Sequence, residues 1–227
     1  MRLNRAFICM LAFAGFLPAA NIITISDSDP DGPGQATVSG GVSSPNGTAL
    51  AVSWTQNQDF TNVRIRAAIA FGSAGSLGNS LVEVFLNQVS SLPTTNATQI
   101  LSNVVAVPDN PANTPAPLLT LFVGHPLAAG TYFLSVFYLS GGTPSWDFEN
   151  PFTQTSDVGA TLNGAGFYRS TGTLASYLPG STFSLQTFGP GFFEVTGDPV
   201  GSAVPEPSTF ALMGAGVAAV AIRRRFR

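Results

Sequence analysis

Three aspartates alternate with other residues in the stretch DSDPDGPG, a spacing that favours a cation site. Asp27, Asp29 and Asp31 are followed by a glycine, as in the first half of a calcium loop, where alternate carboxylates turn inward. The twelfth position of such a loop is Val38 here, so the usual bidentate glutamate is absent, and Pro30 restricts Asp29 to an extended backbone. The stretch therefore predicts a weak calcium site, and the alternative is a solvated acidic leader.

A tryptophan with carboxylates beside it stands in the loop-like stretch GGTPSWDFENPF. Trp146 has the flat ring that stacks on sugars, and Asp147 and Glu149 carry oxygens that accept hydrogen bonds from sugar hydroxyls. Aromatic side chains also dominate the cores of β-sheet proteins, so Trp146 and Trp54 suit such a core as well. The residue types leave two interpretations open, a glycan contact or a core position.

Residues suited to catalysis are scarce in this chain. His125 is the single histidine, and its place before a proline at the end of a β-like run is typical of a turn. The single cysteine, Cys9, lies in an N-terminal apolar run that we expect to be removed, which excludes the usual zinc and Cys–His nucleophilic sites. No G-x-S-x-G motif accompanies the histidine, and no spacing singles out a pair of carboxylates for glycoside hydrolysis. We therefore predict no catalytic residue, no enzymatic activity and no cofactor apart from the calcium ion considered above.

The C-terminal stretch combines an apolar run with a basic cluster. Residues 210–222 are apolar or small, and as a helix they would span about 20 Å, less than the ~30 Å hydrocarbon core of a membrane. Arg223, Arg224 and Arg225 follow, and such a cluster stays on the cytoplasmic side while its side-chain stems lengthen the effective span. These features favour a short transmembrane helix with an arginine-rich tail over a helix buried in a core.

Pro205, Glu206 and Pro207 stand just before the apolar run. Together with that run and the arginines, they resemble the PEP-CTERM sorting signal of Gram-negative bacteria, over about the last 24 residues. The resemblance implies recognition by an exosortase, a membrane-embedded processing enzyme, after a transient stay in the inner membrane. It also implies export to the cell surface or to an exopolysaccharide matrix, and it implies nothing about the remainder of the chain.

The N-terminal stretch is typical of an export signal. The basic leader MRLNR precedes the apolar run AFICMLAFAGFLPAA, which has the length of a signal-peptide core. Ala20 offers a cleavage site with Asn21 as the new N-terminus, although Pro18 departs from the A-x-A pattern. We predict a signal peptide over residues 1–20, and the alternative is an N-terminal core helix.

Between the two signals the chain has about ten short β-like runs and no amphipathic helix. In VRIRAAIAFG the apolar residues alternate with Arg64 and Arg66, as in a half-buried strand. The link HPLAA predicts a hairpin between LLTLFVG and GTYFLSVFYL, and GPG predicts another before FFEVTG, because glycine supplies positive φ. GTYFLSVFYL is apolar on both faces, which predicts a central strand.

These runs predict an all-β protein with a single antiparallel β-sandwich of jelly-roll type. We place the sandwich at residues 21–197, a linker at 198–204 and the sorting signal at 205–227. Residues 21–207 carry all twelve carboxylates but only three arginines, a net charge of −9, which excludes binding to nucleic acid or anionic membranes by bulk charge. The expected function is that of an exported, non-enzymatic surface or matrix protein; the alternatives are a module that binds extracellular polysaccharide and, with less support, an exported hydrolase.

Overall fold

The computed structural model describes residues 19–27, 34–37, 47–71, 80–90, 98–109, 115–141, 144–148, 151–170 and 190–201. Those ranges contain twelve strands: β1 (Ala20–Asp27), β2 (Gly34–Thr37), β3 (Gly47–Gln56), β4 (Phe60–Phe71), β5 (Ser80–Gln88), β6 (Gln99–Val107), β7 (Leu118–Leu127), β8 (Gly130–Ser140), β9 (Pro144–Phe148), β10 (Phe152–Thr155), β11 (Thr161–Ser170) and β12 (Phe193–Pro199). The prediction of an all-β protein is confirmed. No helix in these ranges has the length and the apolar character needed to cross a membrane.

The strands form two sheets in which every pairing is antiparallel. The larger sheet has the order β10-β1-β12-β4-β9-β2, with β7 also paired to β4, and the smaller has the order β11-β3-β8-β5-β6. Four neighbouring strands of each sheet, β1-β12-β4-β7 and β3-β8-β5-β6, follow the order of a two-sheet jelly roll. In this order β6 and β7 are edge strands of different sheets.

The two sheets share one hydrophobic core. Trp54 on β3 lies 5.6 Å from Phe193 on β12, measured between ring centroids, and it stacks on Tyr132 of β8 at 5.4 Å. All three rings are fully buried, and the cluster around them takes side chains from both sheets. Apolar faces that pack in this way make the two sheets a sandwich.

The alternation predicted for β4 is confirmed in its first half. Val63, Ile65 and Ala67 are buried in the core, whereas Arg64 is exposed on the opposite face. Arg66, on the same outer face, donates from Nη2 to both carboxylate oxygens of Glu194 on β12, at 2.6 and 2.7 Å. The pairing Glu194↔Arg66 in the sheet register places these two side chains directly opposite each other.

Strand β8 is central, as predicted, because it lies between β3 and β5. The predicted hairpin across HPLAA is wrong, however. His125 and Pro126 lie within β7, and only Ala128 and Ala129 connect β7 to β8. Because β7 pairs with β4 and β8 pairs with β3 and β5, the connection passes from one sheet to the other.

Hydrogen bonds with the side chains of Gln56, Asp59, Gln88 and Tyr132 hold this crossing connection in place. The backbone oxygen of Ala128 accepts from Gln56 Nε2 at 3.1 Å and from Tyr132 Oη at 2.6 Å. The backbone N–H of Ala129 donates to Asp59 Oδ1 at 2.7 Å. Burial, with the nearby Asp59 charge, raises the pKa of Tyr132 to about 12, so the phenol stays a donor over the ordinary pH range.

The chain divides into two compact units. One consists of Ala19–Val200, and the other, made of Met1–Pro18 and Gly201–Arg227, lies outside the described residues apart from Gly201. Strand β12 runs through Pro199, and Asp198 pairs with Thr61 on β4. The sandwich therefore includes the first two residues of the predicted linker 198–204, because their backbone continues the sheet.

Candidate functional site

Trp146 lies in the core and not in a surface loop. It occupies the middle of β9, paired with Ile69 on β4 and Ala36 on β2, and only 1% of it is exposed. Its Nε1 donates to the backbone oxygen of Phe192 at 2.8 Å. Of the two interpretations left open for Trp146, its burial favours the core position, because a ring without exposed surface has no face to offer a sugar.

The two carboxylates predicted beside Trp146 do not form a surface site with it. Asp147 is 1% exposed, and its Oδ2 accepts from the backbone N–H of Ala116 at 2.6 Å. Its backbone oxygen accepts from the N–H of Phe192 at 2.8 Å, so this residue ties β9 to two other segments. Glu149 lies outside the described residues.

Gly191 explains part of the GPG stretch in a way that differs from the prediction. A Cβ atom at Gly191 would lie 2.5 Å from the indole ring of Trp146. The backbone of Gly191 does not have the positive φ that the prediction assumed. Glycine stands at this position because the backbone approaches the ring closely. The run before GPG lies outside the described residues, so the predicted hairpin there stays a prediction.

The predicted calcium residues fall largely outside the described part of the chain. Asp27 ends β1, where its backbone pairs with Phe152 on β10, and Asp29 and Asp31 are not described. Within the described ranges, no three His, Cys, Asp or Glu side chains come together as a metal would require. The calcium site therefore stays a prediction.

A groove between the edge strands β6 and β7 is the candidate site that the fold creates. It has a volume of about 280 Å³ and is lined by Ser102, Asn103, Thr120, Leu121, Phe122, Val123 and His125. Asn103 Nδ2 donates to the backbone oxygen of Leu121 at 2.8 Å and so links the two sheets beneath the groove. The ring of His125 meets that of Phe122 edge to face at 6.4 Å.

Backbone irregularities shape the β7 wall of this groove. The register against β4 skips at Gly124 and at Leu121, so β7 has an extra residue at each of these points. Gly124 has a φ of 80°, which glycine adopts without strain. Bulges of this kind twist an edge strand and disfavour pairing with other strands.

The two strands that line the groove expose apolar side chains, with Arg64 and Arg66 of β4 opposite Val123 and Thr120. Neither β6 nor β7 contains a carboxylate or an arginine. Four of the five large hydrophobic residues exposed in the described ranges lie on these two strands, namely Ile100, Val104, Leu118 and Val123. The sequence does not reveal this site, because uncharged runs indicate strands but do not tell which strands form the edges of a sheet.

Residues 203–225 match the PEP-CTERM protein-sorting motif. The predicted resemblance is thereby confirmed, and Pro205, Glu206 and Pro207 lie in the matched stretch with the three arginines. The motif indicates an exported protein that is sorted by an exosortase to the surface of a Gram-negative cell. Among curated proteins and among solved structures, none matches this chain.

Proposed function

We propose that this chain is an exported, non-enzymatic protein whose β-sandwich is displayed at the cell surface or in the extracellular matrix. The observation that carries the proposal is the order of the two parts: a compact unit, Ala19–Val200, is followed by the sorting motif at 203–225. In this role the N-terminal signal peptide starts export. The tail then holds the chain in the inner membrane until the exosortase acts on it.

Localisation of variant chains tests this role. A variant with Pro205→Ala, Glu206→Ala and Pro207→Ala should accumulate in the inner-membrane fraction, because the exosortase no longer recognises the tail. The unaltered chain should reach the surface or the medium. Ser202→Ala, one residue before the matched stretch, is the control and should behave as the unaltered chain. Equal sorting of the triple variant and the control would contradict the proposal.

A second candidate function is the binding of a neutral polysaccharide in the groove between β6 and β7. Its support is chemical, because sugar sites combine an apolar wall with a few hydrogen-bonding groups. Val123 supplies exposed apolar surface, and the exposed Thr120 lines the same groove. Strands β6 and β7 have no carboxylate or arginine. On β4, Arg66, opposite Thr120, is paired with Glu194, and Arg64, opposite Val123, is the charged side chain next to the groove.

Binding measurements on a matched pair of variants test this second function. Thr120→Val removes one hydroxyl at nearly constant shape, and we expect it to weaken binding of a neutral matrix polysaccharide about fivefold, the effect of one lost hydrogen bond. Thr153→Val, at an exposed position of β10, should leave binding unchanged. Identical isotherms for the two variants, or no binding by the unaltered chain, would exclude the groove as a glycan site.

A further inference from the structure

Asn21, on the first strand, is held by hydrogen bonds at all four of its polar atoms. Its backbone N–H donates to Asp157 Oδ2 at 3.0 Å, and its backbone oxygen accepts from the N–H of Asp157 at 2.9 Å. Its side-chain Nδ2 donates to Thr155 Oγ1 at 3.0 Å, and its Oδ1 accepts from Thr24 Oγ1 at 2.9 Å. The residue therefore has a defined orientation at the start of the sandwich.

An irregularity in the sheet directs the Asn21 nitrogen toward Asp157. The register between β1 and β12 shifts between Asn21 and Ile23, which marks a bulge. On the other side of β1, the segment that follows β10 supplies Asp157, and Ser156 Oγ donates to the backbone oxygen of Ile22 at 2.6 Å. The backbone N–H of Asn21 thus faces a carboxylate and not a strand.

We propose that the chain is cut between Ala20 and Asn21, and that the new α-ammonium group of Asn21 forms an ion pair with the carboxylate of Asp157. Hydrolysis breaks the peptide bond with one water molecule and leaves a carboxylate on Ala20 and an ammonium group on Asn21. The inference rests on the proposed export, since a signal peptidase makes the cut. It goes beyond export in naming the group that receives the new charge.

This cut removes little of the structure of the sandwich. Removal of Ala20 takes away the terminal pair Ala20↔Gly197 and the packing of one methyl group against the core, and the ladder still begins with Asn21↔Thr196. The cut also replaces a single peptide N–H with an ammonium group that has three donors and a positive charge. A charged donor facing a carboxylate makes a stronger hydrogen bond than a neutral one.

Other charged groups around Asn21 have partners of their own. On β12, Glu194 is paired with Arg66, and Asp198 Oδ2 accepts from Asn62 Nδ2 at 2.8 Å. Strand β10 has no ionisable side chain, and β1 has only Asp27 at its far end. Among the described residues, Asp157 is the carboxylate in contact with the Asn21 nitrogen.

The ion pair has a measurable consequence for titration. A neighbouring carboxylate favours the protonated amine, so the pKa of the α-amino group should lie above its ordinary value of about 7.7–8.0. The stabilisation is therefore complete below that ordinary value and is lost as the pH rises through the raised pKa.

The composition of the chain makes this amine easy to observe. All nine basic residues are arginines, so the protein has no lysine and the α-amino group is its only amine. We would export the full chain from a Gram-negative host and determine its N-terminus by mass spectrometry. The rate of amine acylation would then be measured against pH for this protein, for Asp157→Asn and for the control Asp109→Asn, an exposed carboxylate beyond β6.

The expected N-terminus is Asn21, and at pH 8 the unaltered protein and the control should be acylated about twofold more slowly than Asp157→Asn, as an exposed ion pair implies. If Asp157→Asn does not fold, a measurement of the unaltered protein in salt replaces that variant. About 1 M salt should then speed its acylation, because the salt screens the ion pair. An exported chain that begins elsewhere, or an acylation rate insensitive to both the substitution and salt, overturns this inference alone. A chain that still begins at Met1 contradicts the proposed export as well.

Discussion

Trp146 and Gly191 contact each other so closely that a methyl group has no room between them. The indole has its Nε1 bonded to the oxygen of Phe192, the residue next to Gly191, so ring and backbone are fixed together. The same oxygen also accepts from the N–H of Ala68 on β4 at 3.0 Å. At this point the backbone oxygen of Phe192, just before β12, accepts hydrogen bonds from both β9 and β4.

We expect Gly191→Ala to lower the free energy of unfolding by about 1–3 kcal/mol, the usual cost of overpacking. The cause is the 2.5 Å approach of the added Cβ to the ring of Trp146. Urea unfolding of Gly191→Ala, Trp146→Ala and the double variant measures the coupling. In the Trp146→Ala background, Gly191→Ala should lower the free energy of unfolding much less, because the ring is gone. An equal loss in the two backgrounds would show that contact with the ring is not the cause.

Strand β5 carries a carboxylate on a largely apolar surface. Glu83 lies between Phe137 on β8 and Val104 on β6, its partners in the sheet register. Burial raises the pKa of this carboxyl above its ordinary value of 4.5. The folded state therefore favours the protonated form, and ionisation at neutral pH works against the packing of β5.

Glu83→Gln should raise the melting temperature at pH 7, because glutamine has no charge to desolvate. The sign follows from the raised pKa: the contribution of the carboxyl to stability is complete below about pH 4.5 and falls as the pH rises through the folded-state value. The increase in melting temperature from Glu83→Gln should accordingly vanish near pH 4. Thermal melts across this range measure it, with Asp109→Asn, an exposed carboxylate converted to an amide, as the control. A gain that is the same at pH 4 and pH 7 would contradict this cause.

The sorting motif and the β-sandwich occupy different stretches of the chain. The twelve strands of the described ranges lie in the unit Ala19–Val200, and the sorting motif begins at residue 203. The single cysteine, Cys9, precedes this unit, so no disulfide contributes to the sandwich. The core that the two sheets share therefore contributes to the stability of the domain without help from a disulfide.

Residues 19–201 produced alone should fold into a soluble domain with a β-rich far-UV circular dichroism spectrum. Its urea unfolding curve should be the same with and without reductant, because it contains no cysteine. A strongly helical spectrum, or a dependence on reductant, would contradict this prediction.

Calcium provides a further test on the same domain. We expect millimolar calcium to raise the melting temperature relative to chelator, because an ion bound only by the folded state stabilises it. The double variant Asp29→Ala, Asp31→Ala should lose this response. An unaltered domain whose melt does not move with calcium leaves DSDPDGPG as an acidic leader.

The sequence by itself determined the features that depend on residues adjacent in the chain. The sorting motif is a contiguous stretch, and its prolines, glutamate and arginines are recognisable without any fold. The alternation around Arg64 and Arg66 identified a strand and its buried face, because the side-chain period of a strand is local. The class of the protein and its export followed from such patterns.

Only the tertiary structure decided which strands are neighbours, and with them every candidate site on the sandwich. Trp146 has the same sequence neighbours whether it is exposed or buried, and β-sheet pairing with Ile69 and Ala36 places it in the core. The β6–β7 groove exists because edge strands of two sheets lie side by side. Asn21 and Asp157 stand 136 residues apart and meet only in the folded sheet. Sheet partners come from distant parts of the chain, so a local pattern fixes the face of a strand but not what that face meets.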